Sequence, residues 1–379
     1  MERKLASLQK IVNIRPIPDA DRIEVATILG WEVVINKADN FKVGDLVIYL
    51  EVDSIVPPKV EFEFLRERKF RIRTIKLRKQ ISQGLVLPLN ILPSATLYQA
   101  HIRTEYGVNW QEGDDVTEIM GVKKYDPQGD AERAEIERKI QHSNSKIQRF
   151  LFKNAWYRRL FAFFNPKKDK GFPKFIKKTD EDRIQLFPNI CELEKDTVFS
   201  YSEKLDGQSL TVFLVKNKKL FGLFGDPYVF GVCSRNLRLG RSDNSNWWKV
   251  ANKYNLETVL KNMIGDRQFV TIQGEIVGPG IQKNKYGLPE LQLYVFDIIF
   301  PEGRVHNNIV EMFCYGYALH PVPPLGNIKL FPTIPECVDF AKGKSTIANI
   351  PREGIVVRNH EKNLSFKIIN PEFLLKYEE

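Results

Sequence analysis

Cysteine is scarce: Cys191, Cys233, Cys314 and Cys337 are the only four in 379 residues, and no two form a C-x-x-C pair. Thiols so widely separated argue against a disulfide framework and a cysteine-held zinc, and they imply a reducing, intracellular setting. No apolar run reaches the roughly 18 residues a bilayer span needs, and the charged N-terminus does not read as a secretory signal. The expectation is therefore a soluble chain with no membrane partner. Internal repeats and low-complexity tracts are also missing, so repeat architectures drop out. Acid is the minority charge, with 47 Asp and Glu against 57 Lys and Arg, a net charge of +10. Such a surplus favours a polyanion such as nucleic acid, although a basic surface also serves solubility.

The length suffices for roughly two or three domains. Residues 1–125 read as an all-β module, a small barrel of short, regularly spaced strands. Strands are expected at Ile11–Ile14, Ile23–Leu29, Trp31–Ile35, Leu46–Leu50, Phe70–Leu77 and Gly84–Leu87, with turn chemistry at Pro16–Asp21 and Val43–Asp45. The run from Phe70 places Arg71, Arg73 and Lys76, followed by Arg78, along one strand. That face is either a solvated barrel surface or a groove that tracks phosphates. Residues 126–171 read as a helical linker: the stretch from Ala131 to Ile140 is rich in helix formers with acid–base spacing of three and four. The aromatic stripe from Phe150 to Phe164 is read there as inter-domain packing. From 172 to 379 strands and helices mix, an α+β pattern, with a helix expected over Asn246–Asn262 and strands at Phe269–Ile276, Gln292–Phe300 and Ile355–Arg358.

The chemistry centres on Lys204-Leu205-Asp206-Gly207. A lysine amine attacks phosphorus only when neutral, which desolvation or nearby positive charge promotes. Asp206 suits a ribose hydroxyl or a metal-bound water, and Gly207 a tight turn beside a nucleotide. Downstream follow Arg235 in Ser-Arg-Asn, Glu275 before a glycine-rich turn, Phe296 within a strand, Glu353-Gly354 before another strand, and Lys367 on the last one. A nucleophile, strand-end acids for a divalent ion and a second cation are what nucleotidyl transfer from a nucleoside triphosphate requires.

In this order the motifs resemble those of the covalent lysyl-nucleotidyltransferases: DNA ligases, RNA ligases and mRNA capping enzymes. Lys204–Gly207 matches motif I, Glu275 motif III, Glu353-Gly354 motif IV and Lys367 motif V. The sequence runs only twelve residues past Lys367, too few for the C-terminal OB barrel of DNA ligases and capping enzymes. The strings Ile14–Ile23, Lys42–Asp45, Lys76–Leu85 and Thr179–Gln185 resemble instead the ATP-dependent RNA ligases with an N-terminal OB domain, RNA ligase family five. The fold implied is multi-domain, an N-terminal OB-fold module followed by an α+β, ATP-grasp-like nucleotidyltransferase domain.

That resemblance implies a three-step reaction. Lys204 becomes lysyl-AMP, the adenylate passes to a 5′-phosphate end, and a 3′-OH displaces AMP, with an RNA 3′-OH strand favoured in a nicked duplex. It further implies ATP with Mg2+ or Mn2+, an RNA or nicked-duplex partner and a monomeric enzyme. Asp206 and Glu353 would organise the metal through water, Glu275 would hold the ribose of ATP or AMP or the metal shell, and Lys367 would meet the α-phosphate. Arg235 would contact ribose or end phosphate, while Glu203, Gln185, Gly207 and Phe296 would lie near AMP. Arg71, Arg73, Lys76 and Arg78 would bind nucleic acid, so the OB module is expected to serve nick recognition more than adenylylation. One departure stands out: Ser365 occupies the first of two positions where motif V often carries lysine. The competing readings are a DNA ligase or capping enzyme, and a non-catalytic RNA-binding protein on a degenerate transferase scaffold.

Overall fold

In a computed structural model of the chain, the structure describes residues 3–92, 110–125, 171–217, 227–241 and 245–377. The helical linker expected over 126–171, with its aromatic stripe, lies outside the described residues apart from Gly171. No helix among the described residues is long and apolar enough to cross a membrane.

The N-terminal module is built on one long strand, β1 (Ala6–Pro16), with β2 (Ile23–Ile28), β3 (Trp31–Asn36), β4 (Leu46–Leu50) and β9 (Leu85–Leu87) in the order β3-β2-β1-β4-β9. Alternation decides the facing: in β3, Trp31, Val33 and Ile35 are buried while Glu32 and Val34 are not, as the two-residue period of a strand requires. Two cores result. Leu8, Ile48, Phe62 and Met120 form one, and Ile11, Ile28, Trp31 and Tyr49 the other.

The basic run departs from expectation. Residues 70–77 do not make one strand but two: β6 (Arg71–Ile72) joins β5 (Ser54–Ile55) and β10 (Lys123–Lys124), whereas β7 (Ile75–Leu77) pairs with β8 (Gln80–Ser82) as a separate hairpin. The break falls at Arg73-Thr74, where Thr74 is buried and its hydroxyl accepts from the Gln83 side chain at 3.2 Å. Arg78 and Lys79 have φ of 47° and 65°, the left-handed pair of a tight hairpin turn.

The second domain holds two antiparallel sheets. In one, β19 (Pro324–Lys329), β11 (Val198–Lys204), β20 (Gly354–Asn359) and β21 (Leu364–Ile369) lie side by side in that order. In the other, β12 (Gln208–Lys216), β15 (Phe269–Val277) and β16 (Gln292–Phe300) are neighbours, with β13 (Tyr228–Cys233) and β14 (Arg238–Leu239) beyond β12. Two short strands, β17 (Gly303–Arg304) and β18 (His320–Pro321), pair with β16 at its far edge, β18 running parallel to it. Phe199, Ile355, Val357 and Phe366 pack the first sheet against the helix Ile334–Ala341. In the second sheet that role falls to Val212, Ile272 and Val295, which pack against helices Asn246–Lys253, Leu256–Ile264 and Asn307–Gly316. The single helix expected over 246–262 is therefore two, because Asn255 adopts φ 53°, ψ 37° and ends the first. The four cysteines are free and buried, and folding brings Cys191 and Cys337 to an Sγ separation of 3.9 Å.

A short strap, residues 179–185, joins the two domains. Arg183 Nη2 donates to Asp53 Oδ2 at 2.7 Å, the Gly30 N–H donates to the Gln185 carbonyl at 3.0 Å, and Lys124 Nζ donates to Asp180 Oδ2 at 2.6 Å. The strap is tied in turn to β21, where the Lys367 N–H donates to the Asp182 carbonyl at 2.8 Å. Phe366, fully buried beside Phe199 and Phe187, anchors that strand one residue before Lys367. Phe366→Ala is expected to lower stability by about 3–5 kcal/mol, read as a shifted midpoint in chemical denaturation at unchanged m-value.

Candidate active site

A cavity of about 440 Å3 opens between the two sheets of the second domain and is closed on one side by Arg3, Asp53, Arg71, Lys124 and Tyr125 of the N-terminal module. Lys204 ends β11 and Gly354 begins β20 directly opposite it. This pairing brings the lysine to Glu353, and Lys204 Nζ donates to Glu353 Oε1 at 2.5 Å. Burial alone would drive the ammonium to lose its proton, but the hydrogen-bonded Glu353 carboxylate, with Asp206 nearby, outweighs it and holds Lys204 above the usual lysine range.

The chain then crosses from the first sheet to the second through Leu205-Asp206-Gly207. Gly207 is required by close approach: a Cβ there would sit 2.2 Å from the Ile276 carbonyl oxygen. Its N–H donates to Glu275 Oε1 at 3.0 Å, so the turn is pinned to the acid on β15. Gly354 is held similarly, since a Cβ would meet the Ile368 oxygen at 2.2 Å. Asp206 is fixed at both ends. Its N–H donates to the Tyr286 hydroxyl at 2.8 Å, and its carboxylate pairs with Lys285. Lys285 also lies 5.0 Å from the Phe373 ring centroid and 5.1 Å from that of Tyr377.

Lys367 faces the same cavity from β21, and its Nζ donates to Asp180 Oδ1 at 2.9 Å. Burial pulls its pKa down to about 8, opposed by Asp180 and assisted by the positive charges of Lys204 and Arg183. Arg235 follows β13 and stands 2.7 Å from Asp180 Oδ2. Glu203, one residue before the lysine, accepts at Oε2 from the Thr346 N–H at 2.8 Å and hydroxyl at 2.6 Å, while its buried Oε1 has no partner among the described residues. Phe296 lines the wall from β16.

Most of the site residues expected from the sequence therefore border one cavity, yet not all do. Gln185 does not line it; its side chain is buried at the domain seam beside Gly30. Arg71 is in the cavity wall, bonded to Asp53 and with its guanidinium carbon 3.8 Å from the Tyr125 ring centroid. Lys76 and Arg78 are exposed on the β7–β8 hairpin and Arg73 is half-buried before it; none of the three lines the cavity. Opposite Ser365 on the neighbouring strand stands Arg358, whose Nε donates to the Ser365 hydroxyl at 3.2 Å. That guanidinium is already held by Asp297 at 2.8 Å and Glu181 at 3.3 Å. Sequence reasoning missed Asp180, Arg183, Lys285 and Lys124, because each acts through a partner 56 to 187 residues away or across the seam.

Among the described residues no three His, Cys, Asp or Glu side chains are grouped as a ready metal site. The donor set nevertheless suits a hard divalent ion held through water: Glu353 Oε2 is buried without a partner among the described residues, and Asp206 and Glu275 border the same space. Magnesium is commonly bound this way, by one or two carboxylates together with substrate phosphates.

Comparison with known proteins agrees with this arrangement. Residues 5–89 match an OB-fold domain and residues 197–377 match the RNA ligase family. Three structures of Naegleria gruberi RNA ligase are similar along nearly the whole chain. A variant with AMP and manganese is 28% identical, covers 99% of both chains and has a TM-score of 0.75. The enzyme with pyrophosphate is 29% identical over 100% of this chain and 99% of that one, at a TM-score of 0.75. A variant with ATP and manganese is 29% identical over 99% of both, at 0.74. No curated protein sequence matches.

Burial pushes the Glu275 carboxyl up to about 8 from an ordinary 4.5, with Glu353 and Asp206 adding to the rise. Between these values the unfolded chain is ionised at this position while the folded one keeps its proton, so stability falls as pH rises through the window. Glu275→Gln is expected to flatten that slope and to raise the stability of metal-free protein at pH 8 relative to wild type, measured by denaturation at pH 5 and pH 8.

Proposed function

Because the chain belongs to the RNA ligase family, an ATP-dependent ligase domain behind an OB-fold domain, we propose that it seals nicks in a duplex through a lysyl-AMP intermediate on Lys204, taking an RNA 3′-OH and a 5′-phosphate. The observation that carries this reading is the convergence of Lys204, Glu275, Glu353 and Lys367, from four different strands or strand ends, on one cavity.

In the free protein Lys204 is held as an ammonium by Glu353 and cannot attack. The Nζ proton must leave before the lone pair reaches the α-phosphorus of ATP. Glu353 Oε1, 2.5 Å away, is the nearest acceptor, and carboxylate binding of a metal elsewhere in the cluster would weaken its hold. Magnesium or manganese, when bound, supplies positive charge beside the α-phosphate. Attack by Lys204 Nζ forms the phosphorus–nitrogen bond and breaks the bond to the β-phosphate oxygen, so pyrophosphate leaves with the electron pair. Lys367 is placed to stabilise the charge that grows on the α-phosphate oxygens, the kind of electrostatic contribution that dominates such reactions. Phe296 would stack on the adenine, and the free Glu203 Oε1 would accept from its amino group, which selects adenine over guanine. Gln185 takes no part in nucleotide binding in this reading; it holds the strap.

The adenylate then passes to the 5′-phosphate, and the 3′-OH attacks the activated end to release AMP. For these later steps the exposed cations Lys76 and Arg78 suit contact with the duplex backbone, the half-buried Arg73 precedes them in the chain, and Arg71 lines the cavity itself. Arg3, Arg71 and Lys124 line the same cavity as Lys204, and this supports a contribution of the OB module to adenylylation beside nick recognition. We take the enzyme to act as a monomer, since one chain supplies the complete set.

Incubation with α-labelled ATP and a divalent metal should place a label on the protein that survives denaturing electrophoresis and alkali but is released by hot acid, as a phosphoramidate requires, and that is lost in Lys204→Ala. Absence of an adduct with ATP would sink the proposal, and labelling by GTP alone would point to capping chemistry. On matched nicked duplexes, sealing should be at least about tenfold faster when the 3′-OH strand ends in RNA than in DNA, the discrimination expected when a site bonds a 2′-OH; equal rates would remove the RNA preference.

A further inference from the structure

Asp180 stands where three cations from distant parts of the chain meet. Lys124 of β10 reaches Oδ2 at 2.6 Å, Arg235 after β13 reaches the same oxygen at 2.7 Å, and Lys367 of β21 reaches Oδ1 at 2.9 Å. One carboxylate neutralises one of these charges, so the cluster keeps an excess of two. Arg183, three residues along the strap, adds a further guanidinium that is only 6% exposed, with Nε and Nη1 unpartnered among the described residues. Several cationic donors aimed at both oxygens of a single anion form the arrangement that binds phosphate. Here the anion is supplied by the chain.

We propose that Asp180 is a built-in surrogate for substrate phosphate, holding Lys124, Arg235 and Lys367 together in the nucleotide-free protein and giving them up when the polyphosphate of ATP or pyrophosphate enters. The inference rests on the reading of Lys367 and Arg235 as phosphate-binding groups. Two consequences of opposite sign follow from the charges. Without the carboxylate, the free protein leaves mutually repelling cations uncompensated and loses stability. At the same time an incoming polyanion no longer competes with a resident negative charge, and it binds more tightly. A residue that merely ties the OB module to the transferase would give the first effect without the second.

The test uses the full chain, inorganic pyrophosphate and magnesium, with thermal denaturation and isothermal titration calorimetry on wild type and Asp180→Asn. The expected result is a lower Tm for ligand-free Asp180→Asn, pyrophosphate affinity raised roughly tenfold, and a larger pyrophosphate-induced rise in Tm. Equal or weaker pyrophosphate binding by the variant overturns the role of Asp180 while leaving the phosphate reading of the cavity intact. Failure of both proteins to bind pyrophosphate overturns that reading and the inference with it. Should Asp180→Asn be unfolded without ligand, saturating pyrophosphate is expected to restore the fold, because a ligand bound only by the native state stabilises it; no recovery overturns the proposal.

Discussion

The ion pair between Lys204 and Glu353 is the contact on which the rest of the site depends. A lysine ammonium taken out of water is costly unless a carboxylate meets it, and here the partner lies 149 residues along the chain. Its geometry follows from the backbone: β11 and β20 run antiparallel, Lys204 faces Gly354, and the acid just before that glycine arrives beside the amine. Gly354 permits this because no side chain fits between its Cα and the β21 carbonyl of Ile368. The same pair poses the chemical problem of the enzyme. What stabilises the folded cavity also keeps the Lys204 amine protonated, so in the reaction proposed above the charge around Glu353 must be rearranged before that amine can attack.

Around that pair the cavity is organised as linked charge groups rather than a smooth positive bowl. Asp206 is matched by Lys285, Asp180 by Lys124, Arg235 and Lys367, and Asp53 by Arg71 and Arg183. Glu275 is the exception: its bond comes from the Gly207 N–H rather than from a cation, and it answers burial by holding its proton. The strap of residues 179–185 carries two of these groups, so the segment that joins the domains also joins the nucleotide site to the OB module. Contacts that close the seam therefore also border the cavity.

Legibility in the sequence varied with how local the cause was. Leu46–Leu50 and Gln292–Phe300 were read at their observed bounds, because a predominantly apolar run between turn residues, broken in the second case only by Asp297, has few alternatives. The run after Phe70 was read as one strand with a cationic face, yet burial of Thr74 against Gln83 breaks it and sends its halves to different sheets. Likewise the helix after Asn246 looked continuous until Asn255 turned left-handed. In both cases a tertiary contact or a single backbone conformation outweighed a periodic pattern. Gln185 looked like a nucleotide residue by its neighbourhood in the chain, but the OB module covers it.

From the sequence by itself came the identity and order of the chemical groups: Lys204, Asp206, Glu275, Glu353 and Lys367, the OB-first arrangement, and the surplus of positive charge. Order along a chain carries that information because each motif is short and its spacing to a strand is local. Only the tertiary structure decided which charge neutralises which. Asp180 has no distinguishing spacing, and its importance appears when β10, β21 and the loop after β13 deliver their cations to it. Electrostatic pairing depends on distance through space and on exclusion of water, and neither is written in the separation of residues along the chain.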